Sequence, residues 1–210
     1  EGTLKVVTTG DAYQPLFDKF TEEVGPKVEF ISMSSGEVLS KLKAEGGTPA
    51  ADLWFGGGID AFMDAKDNDL LEKVDFDAAD ELAPEFKDSD NYWFSKGVTV
   101  VGFIVNNDIL KEKGLEAPKS WDDLTKEEYQ GEVLMSNPAI SGTNYAVVNA
   151  LLQTKGDEEG WKYFEALNKN VDYYSKRGSD PSTKTAAGEV GIGITYINGL
   201  SLIHISEPTR

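Results

Sequence analysis

A two-lobed α/β fold is the architecture this sequence predicts, and three observations predict it. Short apolar, strand-like runs alternate with amphipathic helical patterns from the first residues onward. The alternation breaks off in an acidic middle, and it resumes after a long β-branched run. Strand, helix, strand, helix is the order of a parallel sheet covered on both faces, because parallel neighbours need a crossover between them.

The elements follow in order. Residues 4–7 are a β-rich run that ends in Thr8-Thr9-Gly10-Asp11, a strand and its turn. Tyr13, Leu16, Phe17, Phe20 and Val24 recur at helical spacing with Pro15 in the first turn, and Gly25-Pro26 stops that helix. Residues 28–33 are the second strand, and Ser34-Ser35-Gly36-Glu37 opens a helix carrying Val38, Leu39 and Leu42. Residues 51–55 are the third strand, turned by Gly56-Gly57-Gly58 into a helix with Ile59, Phe62 and Ala65. Acids and alanine dominate 64–90, which reads as a solvated helical surface around Leu70-Leu71, Leu82 and Phe86. The β-branched run 98–105 is long enough to pass from one lobe to the other. A helix around 109–113 follows, then Ser120 with Asp123, an acidic variant of the capping box. Residues 132–135 are a short strand and 137–143 a loop. Tyr145, Val148, Leu151 and Leu152 mark one helix, and Trp161, Phe164 and Leu167 mark another. Strands at 171–175 and 190–196 flank a short helix at 183–187 that Gly188 closes. The expected organisation is a first lobe over 1–97, a hinge strand over 98–105 and a second lobe over 106–199.

Composition narrows the function. The 210 residues carry 37 acids against 20 bases, a net charge of −17, and the isoelectric point is near 4.4. Nucleic acid is excluded as a partner, because a phosphate backbone demands clustered positive charge. No apolar run approaches the roughly 18 residues of a membrane span. With no cysteine, disulfides, thiolate metal sites and cysteine nucleophiles are absent. There is no P-loop lysine motif, no GxSxG elbow and no histidine-rich metal motif, so the chain does not read as an enzyme and calls for no cofactor. Glu1-Gly2-Thr3 leads directly into the first strand, so a targeting segment is expected to be missing from this chain.

The last eleven residues, LSLIHISEPTR, read like the translation of a transposase adapter used to prepare sequencing libraries. On that reading 200–210 is a non-native tail and the second lobe is unfinished. His204, the only histidine, then drops out of any chemistry. The tail carries one acid, Glu207, and one base, Arg210, so the net charge is the same without it.

Four strand-to-helix turns are built from small polar residues: Thr8-Thr9-Gly10, Ser34-Ser35-Gly36, Gly56-Gly57-Gly58 and Ser141-Gly142-Thr143. In open parallel sheets ligands bind beyond the carboxyl ends of the strands, where such turns lie. Each exposes backbone N–H groups at a helix start, the end of the macrodipole that favours anions. Each alone reads equally as an ordinary cap. Glu37 competes for the Ser34 turn through the capping box, whereas Ser141-Gly142-Thr143 has no such competitor. Lys176-Arg177, the only adjacent basic pair, follows a strand and precedes Gly178-Ser179, so it suits either the same crevice or a solvated loop. The candidate ligand-binding residues are Thr9, Ser35, Gly36, Gly57, Ser141, Gly142, Thr143 and Arg177.

The ordered segments S-S-G-E-V-L, A-D-L-W-F-G-G-G, P-K-S-W-D-D-L, S-N-P-A-I-S-G-T and G-E-V-G-I-G-I resemble the extracellular solute-binding proteins of ABC importers. The branch is the one that holds ferric-ion, sugar-phosphate and phosphonate binders. The resemblance implies a type II periplasmic-binding-protein fold: two α/β lobes with parallel-rich mixed sheets, a two-strand hinge and a ligand in the interlobe cleft. It also implies that the second lobe and the return segment are incomplete here. In ferric binders a histidine in the first turn, an acid after the third strand and a tyrosine pair near the last strand hold the metal. The matching positions here are Asp11, Gly57 and the Asn198-Gly199 region, beside a lone Tyr196. The S-G-T turn matches one that holds a phosphate group in such relatives. The expected function is therefore capture of a small anionic, phosphorylated organic solute and its delivery to ABC permease subunits, by a monomer that is periplasmic or lipid-tethered outside the cell. The alternative is ferric-ion binding. An enzyme on the same fold, porphobilinogen deaminase, tethers its cofactor to a cysteine, and this chain has none.

Overall fold

Which strands are wholly apolar follows from where each sits in its sheet. The computed structural model describes residues 2–196, which divide into two units between Val98 and Thr99. In the first unit β1 (Thr3–Thr8) lies between β2 (Lys27–Ser32) and β3 (Leu53–Phe55), all parallel. The central strand buries Val6, Val7 and Thr8 in succession, because both of its faces are covered. The edge strand β2 alternates exposed Lys27, Glu29 and Ile31 with half-buried Val28, Phe30 and Ser32.

The crossovers are α1 (Gln14–Val24), which has Pro15 in its first turn and ends at Gly25, and α2 (Ser35–Glu45). The expected capping box opens α2: Glu37 accepts the Ser34 N–H at 2.9 Å, and Ser34 caps in return. Helix α3 (Ile59–Asp67) follows β3. Val7, Val38 and Leu42 form the buried centre, with Met33, Trp54 and Leu70 against them. Burying each such aliphatic side chain stabilises the fold by roughly 1.5–3 kcal/mol.

In the second unit the sheet order is β4-β7-β5-β6. Strand β4 (Val101–Val105) runs antiparallel to β7 (Ile192–Tyr196), while β7, β5 (Val133–Ser136) and β6 (Tyr174–Ser175) are parallel. The inner strands are again buried, β5 throughout and β7 from Ile192 to Thr195. Helices α4 (Asn107–Glu112), α5 (Gly142–Lys155), α6 (Asp157–Asn168) and α7 (Asp180–Ala186) complete the unit. Its core is larger than the first unit's and includes Leu124, Tyr129, Met135, Val147, Leu167, Ile192 and Ile194.

Several sequence expectations need correction. The 64–90 stretch is not a helical surface. After α3 it contains only 3-10 turns at Asp77–Glu81 and Pro84–Phe86. Asp69 and Asn91 take left-handed backbone, which a continuing helix forbids. The stretch is ordered by ion pairs instead: Lys66 reaches Asp88 at 2.7 Å and Asp90 at 2.9 Å, and buried Asp88 accepts the Asp90 and Tyr92 N–H groups. The expected 98–105 strand begins only at Val101, where pairing with β7 starts. Val98 and Val100 stay exposed, because β-branched residues form a strand only beside a ladder partner. Ladder partners also shorten the expected 171–175 strand to Tyr174–Ser175 and the 51–55 strand to Leu53–Phe55. Helix α7 starts three residues earlier than expected, with Pro181 in its first turn. The Ser120–Asp123 exchange forms as expected, with the Asp123 carboxylate accepting the Lys119 and Ser120 N–H groups, but it opens a 3-10 turn.

Candidate functional site

In the second unit the parallel register sets Ser136 beside Ser175, so the loops that leave β5 and β6 begin as neighbours. The Asn137 N–H donates to the Ser175 carbonyl at 2.8 Å and extends that pairing into the loops. One loop rises to Ser141, the extended N-cap of α5, and the other contains Lys176, Arg177 and Gly178. They meet at Gly178. A Cβ built there would lie 2.3 Å from Thr143 Oγ1 and 3.2 Å from Ser141 Oγ, so both hydroxyls crowd the Gly178 backbone. Thr195 Oγ1 donates to the Gly178 carbonyl at 3.0 Å and fixes the loop to β7.

Ser141 is buried, while Gly142 and Thr143 are half-buried. The Gly142 and Thr143 N–H groups fall in the first turn of a 14-residue helix, where no preceding helical carbonyl accepts them. Beneath the turn lies Asn144, fully buried, its Nδ2 donating to Ser136 Oγ and its Oδ1 without a partner among the described residues. The Ser175 hydroxyl is likewise buried and without a partner among the described residues. Arg177 directly precedes Gly178, and its N–H donates to Asp180 at 2.7 Å.

The first unit gathers a separate set at the carboxyl edge of its sheet. Ser35 is buried, and its Oγ accepts the N–H of Gly58, the N-cap of α3, at 3.1 Å. Gly56 and Gly57 take positive φ of 86° and 127°, and the space their side chains would need is filled. Thr9 Oγ1 lies 2.7 Å from the Cβ position of Gly56, and Ser35 Oγ lies 2.9 Å from that of Gly57. Thr9, Ser35 and Gly57 are therefore neighbours in the first unit. Gly36 stands in the first turn of α2, where its carbonyl accepts from Ser40. Asn198, Gly199 and His204, with the whole 200–210 tail, lie outside the described residues.

Residues 15–204 match the profile of the bacterial extracellular solute-binding proteins. The chain belongs to that family. Among its relatives, a Haemophilus influenzae protein is 34% identical over 188 residues, covering 87% of this chain and 54% of the relative. The Fe(3+)-binding periplasmic protein of Serratia marcescens is 28% identical over 85% of this chain and 52% of its own length. Among solved structures, the periplasmic binding protein AfuA from Actinobacillus pleuropneumoniae, with fructose-6-phosphate bound, aligns at a TM-score of 0.92 and 30% identity. That alignment covers 98% of this chain and 66% of AfuA. The chain thus spans about half the length of these two relatives. Its α/β class with parallel-rich mixed sheets is that of the type II periplasmic binding proteins, which are transport proteins rather than enzymes.

Three residues within these separate units carried no sequence signal. Asn144 and Ser136 read as ordinary helix and strand residues until the fold stacks one beneath the other. Lys96, in an unremarkable loop, reaches Tyr13 from 83 positions away.

Proposed function

We propose that this chain is the solute-capturing part of an ABC-importer binding protein, that its solute is a small phosphorylated organic anion, and that the solute passes to a membrane permease. The carrying observation is the Ser141-Gly142-Thr143 turn. Two N–H groups at the start of a long helix and two hydroxyls converge beside Gly178. These are hydrogen-bond donors, which match the acceptor oxygens of a phosphate and the positive end of the helix. Thr9, Ser35 and Gly57 offer a further polar edge in the first unit. Arg177 adds a cation to the loop that meets the turn. A monomer in the periplasm, or tethered by lipid outside the cell, with the 98–105 stretch as a hinge between lobes, is the setting that goes with this reading.

AfuA supports a phosphate ester and the Serratia relative supports ferric iron, so names alone leave the two level. Donor chemistry favours the ester, because N–H groups cannot ligate a cation. Among the described residues no group of three His, Cys, Asp or Glu is gathered for a metal. Calorimetry on the full-length protein with sugar phosphates, phosphonates and ferric citrate tests the reading. A phosphorylated compound should bind, and Ser141→Ala with Thr143→Val should weaken it at least about tenfold, or 1.4 kcal/mol. Tight binding of the ferric complex alone, or unchanged affinity in the double variant, would overturn it.

A further inference from the structure

We propose that Lys96, with Tyr13 and Thr9, forms an oxyanion site on the first unit. This rests on the reading above for the kind of compound that supplies the oxyanion. The argument starts from charge. In a chain with 37 acids and 20 bases, carboxylates are abundant enough to pair most lysines, as with Lys43–Asp64, Lys66–Asp88 and Lys155–Asp122. Lys96 is held differently. Its Nζ donates to Tyr13 Oη at 2.6 Å and lies over the Tyr13 ring at 4.6 Å and the Phe55 ring at 5.5 Å. Among the described residues no carboxylate pairs with it. Neutral aromatic groups fix the position of the ammonium and leave its charge uncompensated.

Donors around it have no acceptor among the described residues beyond the Lys96–Tyr13 bond. An ammonium has three N–H groups, and only one is used by Tyr13. The Tyr13 oxygen accepts that bond, so its own O–H remains to donate. The Thr9 hydroxyl makes no hydrogen bond within the described residues. All three groups border the Gly56 turn. From the Cβ position of Gly56, Thr9 Oγ1 is 2.7 Å away, Lys96 Cε 3.5 Å and Tyr13 Oη 3.6 Å. Gly56 has a φ of 86° and no side chain to fill that space. Donors converging without an acceptor, with one fixed positive charge among them, suit a phosphate or carboxylate oxygen.

The test uses the full-length protein, titrated by calorimetry with inorganic phosphate, fructose 6-phosphate and a sugar acid of similar size. Lys96→Met keeps the alkyl stem against Phe55 and removes the charge. It should weaken binding at least about tenfold and flatten its salt dependence, while Lys96→Arg retains most of the affinity. Tyr13→Phe should cost a smaller factor, about threefold to tenfold. The sugar-acid arm tells carboxylate from phosphate as the group held. If Lys96→Met lowers the melting temperature but leaves affinity and salt slope unchanged, Lys96 only straps its loop to Tyr13 and Phe55 and the proposal fails. If Ser141→Ala with Thr143→Val weakens the sugar phosphate while Lys96→Met does not, the transport reading stands and this site falls. If inorganic phosphate binds in a Lys96-dependent manner but no phosphorylated organic compound does, this site stands and that reading falls.

Discussion

Replacing Gly178 by alanine should damage folding and binding through one contact. The added Cβ would lie 2.3 Å from Thr143 Oγ1, 2.9 Å from Thr143 Cβ and 3.2 Å from Ser141 Oγ. Carbon atoms pack at about 3.5–4.0 Å, so Thr143 must retreat by roughly 0.6–1 Å. Rotation about χ1 moves the hydroxyl aside but leaves Cβ where it was, so part of the shift falls on the backbone of α5 or of the Gly178 loop. Thr195 pins that loop through the Gly178 carbonyl. Overpacking of this kind costs about 1–3 kcal/mol. In a chain of this length that corresponds to roughly 2–12 °C in melting temperature. The shift also misaims the two hydroxyls and the Thr143 N–H. Loss of one charge-assisted hydrogen bond, about 1.5–3 kcal/mol, weakens an anion about ten- to a hundredfold. Thermal melts and phosphate-ester calorimetry on Gly178→Ala check this against Gly102→Ala, whose Cβ meets nothing within 4 Å. A melt equal to the control's would refute the packing reasoning. A lowered melt with unchanged affinity would refute the donor reasoning.

Asp123 should give acid sensitivity. Lys126, helped by the Lys119 N–H, holds its carboxyl down to about 2. A folded value below the unfolded one stabilises above about pH 4, and that contribution is lost as pH falls toward 2. Asp123→Asn should therefore show a shallower fall in melting temperature over that window, and parallel curves for variant and parent would refute the assignment. Glu132 is buried, pairs with Lys113 and accepts the Gly191 N–H at 3.1 Å, which ties β5 to the start of β7. Glu132→Ala should cost about 1.5–3 kcal/mol, and urea unfolding that changes by under about 0.5 kcal/mol would contradict that role.

Much of the fold was legible because each inner strand is a short apolar run and each helix repeats its apolar face. Val6-Val7, Val133-Leu134-Met135 and Ile192 to Thr195 declare buried strands without a partner in view. The turns at Thr9, Ser35 and Ser141 were legible for a local reason: small polar residues at the end of a strand announce a cap. The 64–90 stretch was misread because helix propensity is a local quantity. What decides that stretch is the long-range pairing of Lys66 with Asp88 and Asp90. Lys96 escaped for the same reason, since its meaning depends on Tyr13 and Phe55. Asn144 sits at an ordinary helical position, and only the packing of α5 over Ser136 makes its amide a buried polar group.

The place of β7 in its sheet has a consequence for the order of folding. Strand β4 finds its ladder partner in β7, and β5 joins β7 along its other edge, so the last of the described strands is an inner strand of the sheet. A nascent chain emerging from its N-terminus can complete the first unit's three strands early. The second sheet must wait for Ile192–Tyr196. Closing the intervening loop of roughly 90 residues costs on the order of 4 kcal/mol in chain entropy before the ladder returns any of it, the kind of topology that folds slowly. Until Ile192–Tyr196 has been made, β4 has no ladder partner and β5 has one open edge, a state compatible with being threaded through a narrow channel.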